Sequence, residues 1–142
     1  GLFAAVNESV WEHMKMALLP TVLWWLIYYW INGKKYLVNA QRWFGGALCA
    51  LLINLVTIPA LFYFYTGAFG VELIWADILI FLLAVAFGQL LGLHFYRHAK
   101  GVRPAAAIAV FIALAALFIF FTFKPPHLPI FFDPAGGGYG IE

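Results

Sequence analysis

Charged side chains are scarce in this 142-residue sequence, in which Lys, Arg, Asp and Glu together make up 10% of the residues. A soluble domain carries about 25% charged and about 45–50% apolar residues. Here 65% of the residues are hydrophobic and 20% are aromatic. The shortage of charge therefore excludes an ordinary soluble fold, and the high hydrophobicity excludes an intrinsically disordered chain.

The sequence also has only one cysteine and little net positive charge. The single cysteine, Cys49, lies within an apolar run, which excludes a disulfide framework and a cysteine-based zinc site. Eight Lys and Arg against six Asp and Glu leave a net charge of only +2. A nucleic-acid-binding surface needs a basic patch, so we expect no nucleic-acid partner.

Long apolar runs are what the sequence has instead. About 20 such residues cross a hydrocarbon core about 30 Å thick. Four runs meet this requirement and predict an all-α integral membrane protein, a single transmembrane helical domain with spans over about residues 10–31, 43–65, 71–96 and 104–123. Pro20 and Pro59 lie inside two spans and should kink them.

The distribution of charge predicts the orientation of these spans. The first and third connections hold six of the eight basic residues: Lys34, Lys35, Arg42, Arg97, Lys100 and Arg103. All six acidic residues lie toward the other side. The positive-inside rule therefore predicts a multi-pass protein of the cell membrane, with both ends of this chain extracytoplasmic.

Residues 124–142 form a tail of unusual composition. Prolines and glycines forbid regular structure there, yet large apolar residues such as Ile130 and Phe131 are frequent, whereas a free linker would be polar. We expect the tail to pack on the extracytoplasmic helix ends. It would then bring His127 and Asp133 toward the other polar residues of that side.

Asp77 is the most informative polar residue within the predicted spans. It lies six residues into the third span, about 9 Å along the helix, and is surrounded in sequence by apolar residues. An ionisable group at this depth is costly, so it indicates either a functional site or an ion pair that joins helices. Lys15, at a similar depth in the first span, is the candidate for such a pair. A contact between Asp77 and His13 or His127 would instead indicate a ligand or proton site.

The densest polar segment runs from Asn7 to Lys15. Ser9 and Glu12 have the spacing of a capping box, and Glu12 can pair with Lys15 on one helix face. Glu8 and Glu12 also lie one turn apart, beside His13, which is a pattern suited to metal binding or proton transfer. Capping alone and a functional site both remain open at this point.

Small residues in the third span predict close helix packing. Gly88 and Gly92 form a G-x-x-x-G pattern, with Ala84 one turn earlier, which allows contact within the fold or between subunits. Asn54 and Gln89 are candidate partners for a hydrogen bond between helices.

Ser9-x-x-x-His13, Asp77 and His94-x-x-x-His98 together resemble the signature of alkaline ceramidase and adiponectin-receptor membrane hydrolases. That resemblance implies that these residues gather round one zinc ion. The predicted topology opposes it, because it places His13 near the outer surface and the two later histidines near the inner one. A helix end favoured by the C-terminal dipole is the alternative for His94 and His98.

A second resemblance covers almost the whole chain. It rests on the segment from Asn7 to His13, on Trp75-Ala76-Asp77, and on the tail motif from Pro125-Pro126-His127-Leu128-Pro129 to Gly138-Tyr139-Gly140. These motifs resemble a family of small bacterial integral membrane proteins catalogued only as a domain of unknown function. The resemblance implies one more span before Asn7, and it implies no activity.

We therefore expect a polytopic membrane protein with an extracytoplasmic acid/His pocket that binds a metal ion or a small polar ligand, with hydrolysis and proton-coupled transport left open as activities of the same pocket. The candidate binding residues are Glu8, Glu12, His13, Asp77, His127 and Asp133, with Asn7, Ser9 and Lys15 as structural polar residues. The alternative is a small accessory subunit of a larger membrane complex, or a homo-oligomer, whose helices contact the lipid bilayer and partner helices. No residue is assigned a catalytic role.

Overall fold

The structure is a computed structural model that describes residues 8–134 and 136–139. Within those ranges the chain is all-helical: α1 covers Val10–Asn32, α2 Ala40–Phe69, α3 Ile74–His98 and α4 Pro104–Phe123, followed by a short 3₁₀ helix over Pro129–Phe131. The described residues form no strand, only an isolated bridge between Phe132 and Tyr139. Each of the four α-helices is long and apolar enough to span a membrane, as the sequence predicts.

Local signals determine where the helices begin and end. The Ser9 side chain caps α1, and the Asn39 side chain accepts a hydrogen bond of 3.1 Å from the Arg42 backbone N–H at the start of α2. At the end of α2, Gly70 takes a left-handed conformation with φ of 65°. The helix therefore extends beyond the predicted span of residues 43–65 at both ends, because capping rather than hydropathy stops it.

Helices α2 and α3 pack most extensively, and glycines make their close approach possible. A Cβ atom added at Gly92 would lie 2.6 Å from the Gly46 carbonyl oxygen, and one added at Gly46 would lie 2.7 Å from the Gly92 carbonyl oxygen. Gly88 packs in the same way against Ala50 and Asn54. The predicted strip of small residues therefore packs within the fold, against α2.

Helix α1 is joined to α2 by polar contacts as well as by apolar packing. The Asn54 side-chain amide donates a hydrogen bond of 2.9 Å to the Thr21 hydroxyl, so its partner is Thr21 and not the expected Gln89. The Trp43 indole N–H donates to the Trp25 carbonyl oxygen at 2.8 Å. Both contacts are buried and fix the antiparallel register of the two helices.

The tail packs against the first turn of α1 and the last turns of α4. Phe131 is only 5% exposed, and its ring centroid lies 4.7 Å from that of Trp11 and 5.4 Å from that of Phe121. Beyond it, the bridge between Phe132 and Tyr139 closes a turn. The tail therefore covers the end of the helix bundle at which α1 and α3 begin.

Candidate functional site

The described acidic residues all lie at the end of the bundle that carries the tail, which we call the acidic end: Glu8, Glu12, Glu72, Asp77 and Asp133. Cavities of about 360, 370 and 250 Å³ open there, and Glu8 lines all three of them. The first is bordered by tail residues such as Phe132 and Tyr139. The tail thus forms part of the wall of this region.

Asp77 lies in the first turn of α3, where its carboxylate accepts a hydrogen bond of 2.7 Å from the Tyr65 hydroxyl. The Tyr65 oxygen in turn accepts a hydrogen bond of 3.3 Å from the Leu73 backbone N–H. This chain of contacts joins the last turns of α2 to the start of α3 and orients the carboxylate. Tyr65 was not among the residues singled out from the sequence.

Asp77 and His13 line the same cavity of about 250 Å³, together with Glu8. The His13 Nε2 atom lies 3.6 Å from a Glu8 carboxylate oxygen. The remaining walls are apolar and include Met16, Ile74 and Phe81. The cavity therefore presents two carboxylates and one imidazole on an apolar surface.

Glu12 and Lys15 belong to a separate cluster inside the bundle. Their side chains form an ion pair with an N···O distance of 2.5 Å, and the two residues are 2% and 5% exposed. The Thr122 hydroxyl on α4 lies 3.3 Å from the Lys15 ammonium and 3.4 Å from a Glu12 oxygen. The predicted Glu12–Lys15 pair is thus present. Lys15 pairs with Glu12 rather than with Asp77, because its side chain extends toward Glu12 and α4.

Three other residues singled out from the sequence, Ser9, His127 and Asp133, make contacts within their own segment of the chain. The Ser9 hydroxyl accepts a hydrogen bond of 3.4 Å from the Glu12 backbone N–H, as the capping interpretation predicts. His127 packs on Tyr139 with ring centroids 4.8 Å apart. Asp133 lies in the tail turn, where its backbone N–H donates to the Gly138 carbonyl oxygen at 3.0 Å. Asn7 lies outside the described residues.

The zinc-hydrolase arrangement does not match the positions of its residues. Asp77 lies in the first turn of α3 and His98 in the last turn, so the length of the helix separates them. His94 and His98 stack on each other with ring centroids 4.2 Å apart, and His13 lies at the acidic end. Among the residues that the structure describes, no group of three or more His, Cys, Asp or Glu side chains is placed to hold a metal ion.

Comparison with known proteins identifies a family but no characterised relative. No curated protein and no solved structure matches the chain. The model of a family of unknown function, DUF6512, matches residues 1–141. Because this match extends over nearly the whole sequence, the chain belongs to the DUF6512 family.

Proposed function

We propose that this protein is a multi-pass protein of the cell membrane whose acidic end faces the extracytoplasmic side and binds a small organic cation. The orientation follows from the charge distribution, since six of the eight basic residues lie in the two connections at the opposite end or in the helix turns beside them. Under the positive-inside rule, those connections are cytoplasmic. The binding proposal rests on the cavity that Glu8, His13 and Asp77 share.

The cavity's shape and lining favour a small ligand with a positive charge. Ligand pockets usually measure about 300–1,000 Å³, so a cavity of about 250 Å³ suits a small molecule. Carboxylates of Glu8 and Asp77 would attract an ammonium group, while Met16, Ile74 and Phe81 would contact a short apolar stem. The Tyr65 hydrogen bond would hold the Asp77 carboxylate in place before the ligand arrives.

Ethanolamine and ethylene glycol form a suitable pair of probes, because they have similar size and differ in charge. We expect the purified protein to bind ethanolamine more tightly than ethylene glycol in isothermal titration calorimetry. Glu8→Gln, a change at an exposed residue that lines all three cavities, should weaken ethanolamine binding about tenfold.

Asp133→Asn is the matched control, because Asp133 is an acid of the same end that lines none of the three cavities. It should leave ethanolamine binding within about twofold of the unmodified protein. Equal binding of ethanolamine and ethylene glycol, or equal effects of the two substitutions, would contradict the proposal.

A structural role within a larger membrane complex is the second candidate, and the Glu12–Lys15–Thr122 cluster favours it. This cluster is buried and joins α1 to α4, as expected of residues that only hold helices together. The glycine strip does not add to this case, since it packs inside the fold. Chemical crosslinking in native membranes distinguishes the candidates: a subunit should be captured with one defined partner, and a binding protein should be captured alone.

A further inference from the structure

The end of the bundle opposite the acidic end carries a concentrated positive charge. The Val102 backbone N–H donates a hydrogen bond of 2.9 Å to the Gln41 carbonyl oxygen, which ties the third connection to the start of α2. Gly101, with φ of 91°, packs so closely that an added Cβ would lie 2.6 Å from the Gln41 carbonyl carbon. The two connections and the helix ends beside them thus form one surface, which we call the basic end: Lys34, Lys35, Arg42, Arg97, Lys100 and Arg103.

A cavity of about 480 Å³ opens beside this surface, at the end of α1. Leu26, Ile27 and Trp30 follow one another at helical spacing and form its apolar part, and all three are exposed on the helix. Lys34, also exposed, contributes the charge at its other end. Tyr29 and Gly33 complete the lining. The cavity therefore runs from an apolar strip to a single ammonium group.

We propose that this cavity binds one anionic phospholipid, with the acyl chain along Leu26, Ile27 and Trp30 and the phosphate beside Lys34. Charge complementarity selects the headgroup, because every described acid lies at the other end and the surrounding residues are basic. The apolar strip selects a lipid over a free phosphate, since only a lipid has a chain to bury there. This proposal is independent of ligand binding at the acidic end.

The chain supplies matched controls for both halves of the proposed site. Lys35 neighbours Lys34 and carries the same charge, but it does not line the cavity and its ammonium lies over the Tyr36 ring, 5.1 Å from the centroid. Trp24 is an exposed tryptophan of the same helix, 58% exposed against 85% for Trp30, and it also lies outside the cavity. A diffuse attraction of lipid to a basic surface would not distinguish the members of either pair.

Native mass spectrometry of the purified protein with phosphatidylglycerol or phosphatidylcholine tests the proposal. We expect one phosphatidylglycerol to be retained more strongly than phosphatidylcholine. Lys34→Gln should weaken that binding about fivefold, the effect of one basic residue near a membrane surface, and Lys35→Gln by less than twofold. Trp30→Ala should also weaken it by more than Trp24→Ala does.

Circular dichroism verifies that the four variants keep the helical content of the unmodified protein, as expected for substitutions at exposed positions. Equal effects of Lys34→Gln and Lys35→Gln would overturn the site in favour of diffuse attraction. Equal retention of the two lipids would overturn the charge argument. Competition by glycerol phosphate as effective as that by phosphatidylglycerol would overturn the role of the acyl chain.

Discussion

Glu12→Gln is the change that most directly tests how α1 and α4 are held together. The Glu12 carboxylate and the Lys15 ammonium are paired within the bundle at 2.5 Å, with Thr122 of α4 beside both. The substitution keeps the shape of the side chain and removes its charge. It therefore removes the carboxylate charge that pairs with the ammonium of Lys15, a residue only 5% exposed.

The expected loss of stability follows from what such a charge costs. Removing one member of a buried ion pair costs about 3–5 kcal/mol, because the other charge remains desolvated. We expect a decrease of about 3 kcal/mol in the free energy of unfolding for Glu12→Gln and a similar decrease for Lys15→Met. The double variant should lose less than the sum of these, because it removes both charges of the pair together. Thr122→Val, which removes only a hydroxyl, should cost about 1 kcal/mol.

Reversible unfolding in mixed micelles of increasing SDS content, followed by circular dichroism, measures all four variants under one condition. The comparison within this set matters more than any single value. A loss below about 0.5 kcal/mol for Glu12→Gln, or a double variant that equals the sum of the singles, would refute the claim that the pair is buried and coupled.

Three further predictions concern helix packing, orientation and the tail. Gly92→Ala should destabilise the protein by about 1–3 kcal/mol, because its Cβ would lie 2.6 Å from the Gly46 carbonyl oxygen, whereas Gly67→Ala meets nothing within 4 Å and should be tolerated in the same unfolding assay. Lys35→Cys should resist an impermeant thiol reagent in intact cells and react in inverted vesicles. Phe131→Ala should speed proteolysis of the tail and cost about 3 kcal/mol, since the ring is 5% exposed.

Short-range contacts were the part of the site that the sequence could predict. Ser9 caps α1 and Glu12 pairs with Lys15 within a single turn, so residue spacing alone places these groups together. The four long helices were predictable for a related reason, because membrane thickness sets the length of an apolar run. The ends of the helices were less predictable, since α2 continues beyond the apolar run as far as its capping residues.

Contacts between helices were beyond sequence reasoning. Tyr65 reaches Asp77 across the connection between α2 and α3, yet nothing in the spacing distinguishes it from Tyr63 on the same helix. Thr122 is 107 residues from Lys15. It lies in a run of apolar residues, and nothing in that run indicates that its hydroxyl contacts α1. Such partners depend on which face each helix presents to its neighbour. For α2 and α3, the close contacts at their glycines determine those faces.

The acidic end therefore contains two sets of polar residues whose roles should be separable by experiment. Glu8, His13 and Asp77 line an open cavity, whereas Glu12 and Lys15 are enclosed by α1 and α4. Neutralising Glu8, an exposed residue, should change ligand binding with little effect on stability. Neutralising Glu12 should lower the free energy of unfolding. The protein that remains folded should still bind the ligand, because Glu12 lines none of the three cavities. If Glu8 and Glu12 instead changed binding and stability together, the acidic residues would form one coupled cluster.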